Sequence, residues 1–259
     1  MTNVAKKIVK TLAAIALGLA VTNVNPVKAA QLTIRADSNI FGAGKTFAPA
    51  PGGGLGGQLP PMFNFAAGPG KVLTFSSISG NVYVSGFSAN SNNGNGDGGY
   101  LFGTNILSYG GISGIRNDNA FAFLVGVFLN DFEPTGTGPL ALDFTNNTSF
   151  AELAPQLNQT FFIGDGLTGS GSGNIQRFLV PDQATRLFLG FADGNSGQEF
   201  PPLPQLPAYY GDNAGSLVAN FELQSATESV PEPGTILGAL ACVAWGVTNK
   251  RKQRKNTGV

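Results

Sequence analysis

Ser216-Leu217-Val218-Ala219-Asn220-Phe221-Glu222-Leu223 places Leu217, Ala219, Phe221 and Leu223 on one side and Val218, Asn220 and Glu222 on the other. A period of two is the side-chain period of a β-strand, so this stretch predicts a half-buried final strand with one face on a core. Working back from it, Thr185 to Phe191 reads as another strand that halts at Ala192-Asp193-Gly194. Between the two lie a proline-rich insertion, Phe200 to Pro207, and the turn Tyr209-Tyr210-Gly211-Asp212-Asn213-Ala214-Gly215.

Further back, Phe178-Leu179-Val180 and Phe161-Phe162-Ile163 are short extended segments, the latter followed by a Gly-rich turn from Gly164 to Gly173. Phe121 to Leu129 is the longest apolar run of the body. It is too short to cross a membrane as a helix, and its Phe and Val content suits a central strand covered on both faces. Asp131-Phe132-Glu133-Pro134 ends it as a turn. Strands are also expected at Leu32 to Arg35 on an edge, at Val72 to Ser79 and at Val82 to Phe87, with an irregular loop from Ala48 to Pro61. Many short apolar runs with Gly, Asn and Pro punctuation and little helical periodicity predict an all-β sandwich in one domain. Ser88 to Gly99, rich in Asn, Gly and Ser with Asp97 near its end, is either a metal or sugar loop or a plain flexible connection.

The ends of the chain read differently. Lys6, Lys7 and Lys10 precede the apolar segment Leu12 to Val21, and Val27-Lys28-Ala29 supplies small residues where a signal peptidase reads. Residues 1–29 are therefore expected to be a secretory signal helix, cut after Ala29. At the other end stand Val230-Pro231-Glu232-Pro233, an uncharged apolar run from Gly234 to Thr248, and Lys250-Arg251-Lys252-Gln253-Arg254-Lys255. The two prolines lack N–H groups and hold their neighbours extended, in a form that an enzyme groove can grip. Fifteen helical residues reach only about 22 Å against a hydrocarbon core of roughly 30 Å, a short span that suits a temporary anchor. The basic tail belongs on the cytoplasmic side, which puts the body outside.

This order of box, apolar helix and basic tail at the C-terminus resembles the PEP-CTERM sorting signal of bacteria that make an exopolysaccharide envelope. The resemblance implies that residues 229–259 are the sorting signal and that an exosortase-type membrane transpeptidase recognises its box, Val230 to Pro233, with signal peptidase acting at the other end of the chain. The mature body, 30–228, would then be released or attached at the cell surface or in the extracellular matrix.

Composition narrows the functions open to the body. Residues 30–229 hold six Lys and Arg against fourteen Asp and Glu, a net charge of −8 that disfavours nucleic acid and suits cations. The sole cysteine, Cys242, lies in the C-terminal apolar run, and the chain has no histidine. This excludes Ser-His-Asp and Cys-His catalysis, His-ligated zinc and a disulfide framework. Any catalysis would rest on carboxylates, Lys or Tyr, as in a glycoside hydrolase using Asp131 and Asp193. The chain is expected not to be an enzyme.

The arrangement from Leu187 to Leu223 resembles the calcium-binding end of small bacterial calcium-dependent galactose-binding lectins, which are jelly-roll-like β-sandwiches. In those lectins an Asp follows the penultimate strand and a Tyr-Gly-Asn-Asn-type turn precedes the last. By this resemblance calcium would be held by the carboxylates of Asp193 and Asp212, the amide oxygen of Asn213 and the main-chain carbonyl of Tyr209. Tyr209, Tyr210 and Phe200 would be the aromatic groups that stack on a sugar of an extracellular polysaccharide. Here the connection between Asp193 and Tyr209 is longer than in the lectins, and Asp212 stands where they have an Asn. As an alternative, these Asp, Asn and Gly residues simply fill strand-end turns of a structural matrix protein.

Overall fold

The computed structural model describes residues 28–84, 92–97, 103–194 and 201–225, all within one compact unit, Asn25–Ala226. In chain order the strands are β1 (Lys28–Arg35), β2 (Met62–Asn64), β3 (Val72–Tyr83), β4 (Thr104–Ile106), β5 (Ile115–Asn117), β6 (Leu124–Leu129) and β7 (Leu142–Asp143). They continue as β8 (Glu152–Leu153), β9 (Thr160–Phe162), β10 (Leu167–Gly169), β11 (Ser172–Ile175), β12 (Arg177–Leu179), β13 (Arg186–Phe191) and β14 (Ala214–Gln224). The fold is all-β: the only helical elements among the described residues are two three-residue 3-10 turns, Ile40–Gly42 and Tyr210–Asp212. None of the described residues forms a helix long and apolar enough to cross a membrane. The expected signal helix, apart from Lys28 and Ala29, lies outside the described residues, as does the Val230-Pro231-Glu232-Pro233 segment with the apolar run and basic tail behind it.

Two sheets form the body. One has the order β1-β14-β3-β12-β8 and the other β2-β13-β6-β9; a three-stranded sheet β4-β5-β7 and the β10-β11 hairpin complete the fold. The alternation of the final strand is realised residue by residue: Leu217, Ala219, Phe221 and Leu223 are buried, and Val218, Asn220 and Glu222 are half-buried. That inward row carries the core. Phe221 meets Phe63 of the opposite sheet edge to face at 5.1 Å, and Phe178 of β12 lies 5.2 Å from Phe161 of β9. The two large sheets thus pack through phenylalanine faces in a sandwich-like arrangement. The fully buried rings of Phe161, Phe178 and Phe221 each contribute about 1.5–3 kcal/mol relative to exposure.

The apolar run forms β6, buried along its whole length between β13 and β9. The strand begins at Leu124 rather than Phe121, because the chain bends at Ala122, whose φ is +49°. A larger departure lies in β3. The segments 72–79 and 82–87, expected as two strands, run as one from Val72 to Tyr83, and residues 85–87 lie outside the described ones. Gly80 reads as punctuation but is paired opposite Leu217, with a φ of +111°. A Cβ there would stand 2.3 Å from the Ser216 carbonyl oxygen, so glycine lets the backbones close up where a turn was expected.

β1 lies on the sheet edge, as its alternation predicts, and pairs antiparallel with β14 from Lys28↔Leu223 to Arg35↔Ser216. It begins at Lys28, so a cut after Ala29 would remove its first two pairs.

Candidate functional site

Asp193 follows β13, and the Tyr209–Asn213 turn leads into β14, so each sits where a strand ends and side chains are free to turn away from the ladder. The two strands belong to different sheets. What brings their ends together is the Pro-rich connection, which is closed at its base by an antiparallel bridge between Gly194 and Pro207 and by a 3.2 Å bond from Ala208 N–H to the Asp193 carbonyl. The length of the connection therefore does not separate the two halves of the site, and its described part pairs with Asn105 and Leu107 through Gln205. Phe200 and the adjoining residues 195–199 lie outside the described residues.

Asp193 is 2 % exposed. Its Oδ2 accepts from Asn213 Nδ2 at 2.7 Å and its Oδ1 from the Gly194 N–H at 2.7 Å. Burial pushes its carboxyl up to about 7, against the opposing pull of the Asn213 and Gly194 hydrogen bonds, and the negative charge of Asp212 adds to the rise. Among the described residues no Lys or Arg is paired with it. A buried carboxylate with two hydrogen bonds and no countercharge is costly to ionise, and a bound cation is one remedy.

Adjacent residues Tyr209 and Tyr210 have opposite fates. Tyr209 adopts the left-handed conformation, with φ +59° and ψ +18°, and this reverses the chain so that its ring faces outward, 38 % exposed. Tyr210 is completely buried, and its hydroxyl accepts the Asp193 N–H at 2.9 Å. Its phenol is raised well above the ordinary tyrosine range, first by burial and then by the Asp193 charge. Tyr210 is therefore corrected from a sugar-stacking residue to a core residue that positions Asp193. The Gly57 backbone packs directly on it: with φ at +72°, a Cβ there would lie 2.7 Å from Tyr210 Cβ and 2.3 Å from the Asp37 carbonyl oxygen.

The donor set is chemically suited to calcium, a hard cation that takes six to eight oxygens. Asp193, Asp212, Asn213 and the Tyr209 carbonyl supply oxygen and no nitrogen or sulfur. That carbonyl accepts only a long 3.4 Å contact from the Asp212 N–H. Asn213 turns its amide nitrogen toward Asp193, and rotation of the amide would offer its oxygen instead. No group of three or more His, Cys, Asp and Glu occurs among the described residues, so main-chain carbonyls and water would have to complete the shell. One such carbonyl is Ala36 O, 3.5 Å from Asn213 Nδ2. Sequence reasoning missed it, because a main-chain oxygen carries no residue signature.

The alternative carboxylate pair fails on distance. Asp131 follows the end of β6 that pairs Leu129 with Arg186, and Asp193 follows the end of β13 that pairs Phe191 with Leu124. The five-residue length between these pairs alone amounts to about 17 Å. Glycosidase carboxyl groups stand roughly 5–9.5 Å apart. Asp131 is instead engaged with the Thr185 hydroxyl at 2.6 Å.

No family model, no curated protein and no solved structure matches this chain.

Proposed function

We propose that this chain is an exported, non-enzymatic protein of a bacterial envelope or extracellular matrix. Its body is a jelly-roll-like sandwich that recognises carbohydrate with calcium held at Asp193, Tyr209, Asp212 and Asn213. In this reading signal peptidase removes residues 1–29, and an exosortase-type transpeptidase acts at Pro231-Glu232-Pro233, with the basic tail left in the cytoplasm. Export is supported by the charge and apolar pattern of the two ends and by the acidic, cysteine-free body.

The observation that carries the ligand reading is the convergence of Asp193 with the Tyr209–Asn213 turn across an insertion, around a buried carboxylate with no cationic partner among the described residues. Calcium would supply that countercharge and could also bind sugar hydroxyls directly. Tyr209, exposed beside the site, is the aromatic surface a sugar ring would meet.

The test is thermal unfolding of the full chain, in a detergent without a sugar headgroup, in calcium and in chelator. Binding at a hundredfold excess over Kd stabilises by about 2.7 kcal/mol, which shifts the melting temperature by several degrees. The rise should vanish in Asp193→Ala and Asp212→Ala. An identical melting temperature in calcium and chelator would sink the ligand reading. It would favour a structural matrix sandwich instead, a reading suggested by the hydrogen bonds that both Asp193 oxygens already accept.

A further inference from the structure

A second polar concavity shares no residue with the Asp193 site. It has a volume of about 250 Å³ and is walled by four separate segments: the 95–97 loop, the 117–120 turn after β5, the 145–149 loop after β7, and the β10-β11 hairpin. Phe162, which also lines it, is 2 % exposed and packs against two rings, Phe123 at 5.2 Å and Phe144 at 5.7 Å.

The walls are tied together by their own hydrogen bonds. Asn95 accepts the Asp165 N–H at 2.9 Å and donates to Ser170 Oγ at 3.1 Å, and Ser170 Oγ donates to Asp97 Oδ2 at 2.7 Å. On the facing side Asn119 Nδ2 donates to the Thr145 carbonyl at 2.7 Å. Gln176, itself fully buried, pins the third wall through the carbonyls of Thr148 and Phe150.

These bonds leave specific groups unused. Asn117 is only 1 % exposed and lines the cavity. Its Oδ1 is fixed by the Asn119 N–H at 3.0 Å, which assigns the amide orientation, and its Nδ2 has no acceptor among the described residues. That amide N–H is not sealed from solvent but opens into the cavity, so an acceptor on a ligand can take the place of water there. Asp97 uses one oxygen on Ser170, and the other has no donor among the described residues. The hydroxyls of Thr148 and Ser149 stand on the opposite rim.

We infer that this cavity is a binding site for one neutral sugar ring. Its lining offers amides, hydroxyls and one carboxylate oxygen, with no Lys or Arg, so it is matched to a ligand that both donates and accepts hydrogen bonds and carries no negative charge. Its volume falls below the ~300–1,000 Å³ typical of sites for drug-sized ligands, which leaves room for about a single ring. The apolar lining residues Ala120, Leu167 and the edge of Phe162, with polar groups around them, offer a small apolar surface to the C–H face of such a ring. The inference does not rest on the calcium reading.

The test uses the full chain in the same detergent, titrated with glucose, galactose, mannose and N-acetylglucosamine and followed by saturation-transfer NMR in chelator. At least one sugar should bind saturably with a Kd on the order of 1–10 mM, weak as expected of a shallow site of this size. Ser170→Ala and Asn119→Ala, both on the exposed rim, should weaken that binding about tenfold while leaving the melting temperature within a degree or two. Asn117→Leu removes the unpaired donor and should abolish binding, with the rim variants standing as the control if it folds poorly. Asp193→Ala should bind as wild type does. Saturable binding by none of the four sugars up to ~50 mM, or binding that survives both rim substitutions, overturns the inference.

Discussion

The Asp193 cluster and the Asn117 cavity are both polar regions of an otherwise phenylalanine-rich body, and they solve burial in opposite ways. At Asp193 a single ionisable group is sealed off, with its two oxygens on an amide and a main-chain N–H and its buried neighbour Tyr210 holding the strand end. Among the described residues that line the Asn117 cavity no charge is sealed: the carboxylate of Asp97 is exposed, and dipoles line a space that water reaches. Sealing a charge makes the local structure sensitive to protons and cations. Lining a space with dipoles makes it sensitive only to molecules that fit and hydrogen-bond.

The contrast can be broken most forcefully at Tyr210. Tyr210→Ala should cost about 3–5 kcal/mol in urea unfolding, because it empties a fully buried ring volume and orphans the Asp193 N–H. A loss below about 1 kcal/mol would mean that this end is not packed as described.

The next effect is one of pH. In chelator Asp193 has a folded pKa of about 7 and an unfolded one near 3.8, so between those values the folded state binds the extra proton. Stability contributed by the protonated group is therefore full below the unfolded value and lost as pH rises through the folded one, amounting to at most about 4 kcal/mol. Asp193→Asn, which cannot ionise, should flatten that slope in denaturant melts from pH 4 to 8. An unchanged slope would show that the carboxylate is solvated. Calcium should reduce the slope in the wild type alone.

Tyr210→Phe sharpens the comparison further. It keeps the ring and removes only the oxygen that accepts from the Asp193 N–H, so a loss of about 1–3 kcal/mol is expected. At the cavity, by contrast, Asn119→Ala should change stability by no more than about 0.5 kcal/mol, since its side chain is an exposed rim group. Equal losses in these two variants would remove the distinction between a sealed and an open site.

Much of the scaffold was legible. Leu217, Ala219, Phe221 and Leu223 carry the period-two signal because the last strand has one face on the core and one less covered, and the unbroken run from Leu124 to Leu129 carries the opposite signal because that strand is covered on both. Gly80 misled, since a glycine that lets two backbones approach looks the same in one dimension as one that turns a chain. The meeting of Asp193 with the Tyr209–Asn213 turn was visible only through resemblance. The sorting of Tyr209 outward and Tyr210 inward depends on one positive φ, which two identical side chains could not reveal. Of the Asn117 cavity only one wall left a signature, the Ser88–Gly99 stretch with Asp97, read as either a metal or sugar loop or a plain connection; the other walls read as ordinary turns, and they come from segments up to 75 residues apart, as the Asn95–Ser170 bond shows.

The antiparallel pairing of β1 with β14 sets which features of the body share an end. Lys28 lies opposite Leu223, so the chain enters and leaves the sandwich side by side at one pole, while Asn213 and Asp193 stand at the other, beyond the start of β14. The eleven residues of β14 put roughly 35 Å between these poles. A fluorophore placed on Gln224 would therefore stay near the start of β1 and report on the Asp193 end only from that distance.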